Sequence, residues 1–329
     1  MKTLSKTFYP QKPIIVVVGP TASGKSDLAV RLARKFNGEV ISADSRQVYR
    51  GMDIGTGKIT KKEMAGIPHY LLDVAQPRRR FTAAQYKKLG QAAIKKIQHK
   101  NKIPIICGGT GFYIRALVDN LPIPAVKPNL KLRAQLEKKT TTELFDLLKK
   151  LDPRRAREID RRNPRRLIRA LEIVMTTGRP VPPLTSVILA KAGIQARITE
   201  PGSRVKPGMT TNDSYTNVLF LGIKKSHPKL ARRIKIRLEK RLKQGLLAEV
   251  KKLRDQGLSW KRLDDFGLEY RWLAKYLQKT ISYDEMVKLL QKDIEHYAKR
   301  QMTWFGRDPR INWIKNERQA KNIVKNFLK

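Results

Sequence analysis

Residues 16–29 read VVVGPTASGKSDLA, and Gly19 to Ser26 spell G-x-x-x-x-G-K-S. A β-branched run stops at Gly19, and LAVRLA resumes with helical spacing after Ser26. Strand, glycine-rich turn and helix start together make a phosphate cradle. Its candidate binding residues are Gly19, Thr21, Ala22, Ser23, Gly24, Lys25 and Ser26. Glycines let backbone N–H groups approach oxyanions, the lysine ammonium neutralises charge, and the Ser26 hydroxyl can hold Mg²⁺. Thr21 could donate to a bridging or leaving oxygen, or simply pack the loop.

Asp44 and Ser45 end the next strand-like stretch, EVISAD. A carboxylate there could ligate Mg²⁺ through water, take a proton from a bound nucleophile, or cap the following turn. A third strand, PIICGG, ends in Cys-Gly-Gly and not in aspartate, which weakens a motor or GTPase reading. Just beyond it, Thr110 and Tyr113 in GGTGFY could line an acceptor pocket. The four histidines have no ligand spacing and there is one cysteine, Cys107, so neither a zinc site nor an intramolecular disulfide is expected.

The elements that must hold these groups alternate strand and helix over the first hundred residues, the pattern of a parallel α/β sheet. Strand signals vanish from about Asp119 to Thr185, where KLRAQLEKK, TELFDLLKKL and PRRLIRALEIVM all read as helices. The expected organisation is a P-loop NTPase-like core from 1–118 and 217–329, with a helical insertion at 119–186. Residues 187–214 have no usable period and much Gly, Pro, Thr and Ser, so an exposed loop without a chemical role is expected there. NVLFLGI then restores a strand. One long helix is expected after it, with Leu230, Ile234, Leu238, Leu242 and Leu246 as its stripe and Arg233, Arg237 and Arg241 beside it.

Charge narrows the partner. The chain of 329 residues carries 71 Lys+Arg against 28 Asp+Glu, a net +43. A small-molecule kinase has no use for that field, whereas a polyanion does, because each neutralised phosphate releases counterions. Arginines 154, 155, 157, 161, 162, 165, 166 and 169 cluster in LDPRRAREIDRRNPRRLIRALE, with planar forks suited to a nucleic-acid backbone. The four tryptophans fit a core more readily than base-stacking platforms, and Trp304, beside AKRQ, is the one to test for stacking a base. No apolar run reaches the length of a membrane span, and a single cysteine fits a reducing compartment, so a cytoplasmic protein is expected.

The stretches GPTASGKS, ISADSRQVYRGMDIGTGK, IPHYLLD, GGTGFYIRAL, NPRRLIRALE, RRIKIRLEKRLKQGLLAEV, GLEYRWLAKYL and AKRQMTWF together resemble the tRNA dimethylallyltransferases, in that family's order. The resemblance implies transfer of a dimethylallyl group from dimethylallyl diphosphate to the exocyclic amine of the adenine 3′ of the anticodon. Asp44 would be the general base, Thr21 the donor to the bridging oxygen, and Arg237 the arginine that stabilises departing diphosphate. Lys25 and Ser26 would hold the diphosphate with Mg²⁺. It also implies tRNA contacts by Ser45, Gln47, Thr110, Tyr113, Arg300 and Gln301, and by Arg166 and Arg169 of the insertion, which would clasp the anticodon stem-loop. A monomer is expected. Asp160-Arg161-Arg162-Asn163 departs from the His-Pro-Asn-Asp common in that family, and LGIKKSHPKL lacks the usual acid-arginine pair. The competing reading is a P-loop kinase that binds ATP, which shares the cradle and the strand-end aspartate.

Overall fold

The computed structural model describes residues 12–183, 215 and 217–329. The loop expected at 187–214 lies outside them. The chain divides into two compact units, one holding the described residues 12–118, 215 and 217–329, the other 119–183.

The first unit begins β1 (Ile14–Val18), α1 (Lys25–Lys35), β2 (Gly38–Ser42), α2 (Lys61–Met64), β3 (His69–Tyr70), α3 (Ala83–His99), β4 (Ile103–Gly108) and α4 (Gly111–Val118). The second unit holds α5 (Leu130–Leu136), α6 (Thr141–Leu151), α7 (Pro153–Glu158) and α8 (Pro164–Thr177). The first unit then resumes with β5 (Val218–Ile223), α9 (His227–Lys243), α10 (Leu246–Asp255), α11 (Trp260–Phe266), α12 (Leu268–Leu277), α13 (Tyr283–Phe305), β6 (Ile311–Ile314) and α14 (Glu317–Phe327).

The strands form one parallel sheet in the order β3-β2-β4-β1-β5-β6. In register, Val17 sits opposite Cys107 on β4 and opposite Leu221 on β5. β1 is buried along its whole length because helices cover both sheet faces. Ile15 and Val17 pack with Leu28, Leu32 and Val324 on one face. Ile14, Val16 and Val18 pack with Tyr86, Ile94 and Ile114 on the other. The chain runs from β1 out to β2, and later from β4 across to β5 on the far side of β1. Ligands bind at the carboxyl edge of such a reversal. Gly19, Asp44 and Thr110 follow β1, β2 and β4 at that edge.

Two expectations are corrected. The stripe from Leu230 to Leu246 is not one helix, because α9 stops at Lys243 and α10 starts at Leu246. Gly245 between them has φ 94°, a left-handed backbone that glycine adopts without steric penalty. Two short strands were also missed, β3 and β6, which are too brief to show a period. In the second unit, Leu144, Leu148, Leu167 and Leu171 form the centre of a separate core. Among the described residues, no helix is long and apolar enough to cross a membrane.

Candidate active site

The loop after β1 is shaped by three constraints. Gly24 takes φ 93° to start α1, and Ala22 sits at φ 59°. A Cβ on Gly19 would meet the Ser23 hydroxyl at 2.9 Å and the Ile223 carbonyl at 3.0 Å, so only glycine lets the turn close. The loop is then tied from outside. The Arg233 Nε donates to Ala22 O at 2.6 Å, and Thr21 N donates to the Gln301 Oε1 at 2.8 Å.

Inside the turn, Lys25 Nζ donates to Pro20 O at 3.2 Å. Burial lowers its pKa, and the Arg237 and Arg241 guanidiniums push the same way, partly opposed by Cys107 and Asp44. The Ser26 hydroxyl hydrogen-bonds the buried Cys107, whose thiol is pushed up to about 11, chiefly by burial. Ser23 Oγ is buried without a partner. A cavity of about 590 Å³ opens on this cradle, with Lys25, Ser26, Arg233, Arg237, Lys240 and Arg241 on its walls.

Arg237 is the most exceptional of these. No hydrogen-bond acceptor among the described residues faces its guanidinium, although the residue is mostly enclosed. Burial, reinforced by Arg241, pulls its pKa down to about 10. Arg241, one turn on, is neutralised instead: its Nη1 lies 2.9 Å from Glu269 Oε1 and 3.2 Å from Gly55 O. A largely enclosed cation without a hydrogen-bond partner, on the wall of a cavity that the phosphate loop also lines, fits a polyphosphate ligand.

Asp44 stands two residues beyond β2. Its Oδ1 accepts from Arg46 N at 2.8 Å and Gln47 N at 3.3 Å, so the carboxylate does cap the next turn. Its Oδ2 makes no hydrogen bond to the described residues and is available for a proton. Around it, the Tyr113 and Tyr297 hydroxyls are both raised in pKa, by burial first and with Asp44 contributing. Tyr113 is also stacked on Tyr86, with ring centroids 4.2 Å apart. Thr110 Oγ1 accepts from Ser45 N at 3.0 Å and so joins the ends of β2 and β4.

Several residues assigned to tRNA are engaged elsewhere. Gln301 is 6% exposed, and its amide bridges Thr21 N to Gly109 O at 3.0 Å. Gln47 accepts from the Ser42 hydroxyl at 3.2 Å and donates to Gly57 O at 3.2 Å. Arg300 is exposed, 3.8 Å from Asp293 and over the Tyr297 ring. Trp304 packs over Gly111, where a Cβ would strike its indole nitrogen. Within the second unit, Arg169 is held by Glu172 and by Val126 O, whereas Arg166 is exposed and 3.9 Å from Asp160.

The sequence reading did not single out Tyr297, Glu249, Glu269, Gly57 or Lys240 for the site. For Lys240 and the two flanking arginines a signal existed, since cations every three or four residues on one helix share a face. For the acidic partners there was none, because their contacts span long stretches of chain.

A glycine-rich cradle at the carboxyl edge of a parallel sheet, opening on an arginine-lined cavity, with a carboxylate beyond the end of β2, is the architecture of a P-loop protein. The model of the family described as IPP transferase matches residues 47–308, and the chain belongs to that family. It is similar to the tRNA dimethylallyltransferase of Pelotomaculum thermopropionicum, 38% identical over 94% of this chain and 93% of the relative. The Thermomicrobium roseum enzyme of the same name is 38% identical over 92% and 86%. Among solved structures, a tRNA isopentenylpyrophosphate transferase from Bacillus halodurans superposes with TM-score 0.68 at 32% identity, covering 97% of each chain. A eukaryotic dimethylallyltransferase, solved acting on tRNA, gives TM-score 0.73 at 25% identity over 96% of this chain and 80% of its own.

Proposed function

We propose that this chain transfers a dimethylallyl group from dimethylallyl diphosphate to the exocyclic amine of the adenine 3′ of the anticodon in tRNA. The observation that carries the reading is Arg237, a buried guanidinium without an acceptor, set in the wall of the cavity into which the phosphate loop opens. A kinase would need the same cradle, but the family and the net +43 favour a tRNA substrate.

The amine is a weak nucleophile because its lone pair is delocalised into the ring. As its nitrogen bonds to the allylic carbon, the carbon–oxygen bond breaks and its electron pair leaves on diphosphate. Asp44 Oδ2 takes the amine proton, with Oδ1 held by two backbone N–H groups so that the carboxylate keeps one orientation. The Thr21 hydroxyl donates to the bridging oxygen, while Lys25 and Arg237 face the charge that builds on the leaving group. Among the described residues no cluster of three His, Cys, Asp or Glu side chains could hold a metal alone. Ser26 fits Mg²⁺ as one hydroxyl ligand beside phosphate oxygens and water, and Mg²⁺ when bound supplies further neutralisation of diphosphate. The adenine leaves its stack to enter, at a cost of a few kcal/mol that backbone contacts from exposed arginines such as Arg157, Arg161 and Arg162 offset. A cytoplasmic monomer is part of the same proposal.

The test is direct. The protein is incubated with Mg²⁺, dimethylallyl diphosphate and unmodified tRNA, and the digest is searched for isopentenyladenosine by mass spectrometry. Asp44→Ala should abolish the product while tRNA binding stays within about threefold, less than one hydrogen bond's worth. ATP turnover without prenylated product would return the cradle to a kinase.

A further inference from the structure

The loop that roofs the cavity is anchored by a side chain that does not itself line it. Residues 53–55 turn three successive backbone N–H groups toward Glu249 on α10. Its Oε2 accepts from Asp53 N at 2.8 Å and Ile54 N at 2.7 Å, and its Oε1 from Gly55 N at 3.0 Å. A fourth donor, the Tyr270 hydroxyl, reaches Oε1 at 2.8 Å. Tyr270 is 2% exposed, and its ring lies so close beneath Gly55 that a Cβ there would meet it at 2.7 Å. Consecutive N–H groups converging on one anion are the arrangement proteins use for phosphates, and here the chain's own carboxylate fills it.

What this anchor sets is the depth of Gly57. Two residues past the Glu249 contacts, Gly57 rests against the guanidiniums of Arg237 and Arg241 at φ 57°. Arg241 is fixed by Glu269, but Arg237 has only its neighbours' shapes to confine it. A loop that rose by an ångström would leave Arg237 free to swing away from the cradle.

We propose that Glu249, supported by Tyr270, is a positioning residue for the donor half of the site: it clamps the 53–57 loop so that Gly57 holds Arg237 facing the diphosphate. This rests on the reading of the cavity as the diphosphate site. A merely structural anchor would lower stability without singling out one substrate.

The experiment uses Glu249→Gln, which keeps the shape but removes the charge and sets an amide NH₂ against backbone donors, and Tyr270→Phe, which removes one donor. Melting curves establish that each variant is folded. For folded Glu249→Gln, the KM for dimethylallyl diphosphate at saturating tRNA, and the Kd for inorganic diphosphate by calorimetry, should both rise about tenfold, the worth of one charge-assisted hydrogen bond. The Kd for tRNA should stay within about twofold, and Tyr270→Phe should move the same two constants about threefold, the worth of one neutral hydrogen bond. Glu249→Asp should recover part of the loss. Unchanged donor constants in a folded variant, or equal losses toward donor and tRNA, overturn the proposal. Should Glu249→Gln not fold, Tyr270→Phe decides by the same criteria. Wild-type protein that binds diphosphate with this dependence on Glu249 yet prenylates no tRNA would sink the functional reading and leave the clamp standing.

Discussion

Gly57→Ala separates the backbone demand of the cavity roof from its effect on the arginine wall. At φ 57° an alanine adopts the left-handed region at a cost of roughly 1 kcal/mol. The new methyl would also overlap Arg241 Nη2 and come within 2.6 Å of Arg237 Nη2. These two side chains do not yield equally. Moving Arg241 off Glu269 strands a buried carboxylate, which costs about 3–5 kcal/mol. Moving Arg237 does not relieve the overlap with Arg241, so Arg241 Nη2 must turn aside about its Nη1–Glu269 contact, and Arg237, which gives up no hydrogen bond when it moves, is displaced with it.

The backbone cost alone lowers the melting temperature by about 2–4 °C per kcal/mol in a chain of this size class, and strain on the Arg241–Glu269 pair adds to that loss. The expected catalytic loss is large: misplacing one donor to a developing oxyanion lowers turnover by about 10²-fold or more. Gly66→Ala is the control. Its φ of 81° imposes a similar backbone cost, but nothing lies within 4 Å of its Cβ. It should lower the melting temperature by the backbone cost alone and leave kcat/KM for dimethylallyl diphosphate unchanged. The assay is donor-dependent prenylation of tRNA with melting curves on the same preparations. If both alanine variants keep wild-type kcat/KM, the contact between Gly57 and Arg237 does not shape the reaction.

Two further outcomes follow from other parts of the molecule. Gln301→Ala leaves Thr21 N and Gly109 O without their partner, at about 1–3 kcal/mol for each buried group, so transfer should slow sharply while filter-binding affinity for tRNA holds; a tenfold weaker tRNA complex with normal turnover would instead make Gln301 an RNA contact. In the second unit, burial alone would raise the Glu172 carboxyl, but hydrogen bonds from Arg133, Arg169 and Asn129 N outweigh it and hold the pKa down to about 2. A depressed folded pKa means stability that is full above the ordinary 4.5 and lost as pH falls toward 2, about 3 kcal/mol in all. Protection factors of the α8 amides, taken against intrinsic exchange at each pH, should therefore fall across that window in the wild type, and already be low and flat there in Glu172→Gln; a flat wild-type profile would refute the linkage.

The cradle was legible because its chemistry is local: Gly19, Gly24, Lys25 and Ser26 lie within one turn, and the strand and helix around them have opposite periods. Asp44 was legible for the same reason, as a carboxylate ending a short apolar run. The break at Gly245 was harder, since Leu242 and Leu246 keep a four-residue spacing across it and the apolar stripe hides the turn. Gln301 shows the limit more sharply. Its type suits an RNA base as well as a loop anchor, and its contact with Thr21 N, 280 residues away in sequence, leaves no local trace. Arg169 is similar, because an arginine in a basic helix is indistinguishable from its neighbours until the buried Glu172 is found beneath it.

The three arginines of α9 show why such differences matter for function. Arg233, Arg237 and Arg241 recur every four residues on one face, yet the fold gives each a different partner. Arg233 is bound to Ala22 O and so shapes the phosphate loop, and Arg241 is neutralised by Glu269. Arg237, between them, is pulled down to about 10, first by burial and then by the like charges of Arg241 and Arg233, so it is still protonated at neutral pH but held in an unfavourable setting. On the proposed reading, an arriving diphosphate would offset that burial and repulsion, and would offset more of it as the carbon–oxygen bond breaks and charge gathers on the leaving oxygen. An interaction that grows along the reaction coordinate lowers the barrier, whereas one already complete in the bound substrate only tightens binding. On that reading, by giving its neighbours internal partners and leaving Arg237 none, the fold would reserve one cation for the charge that appears only when the bond breaks.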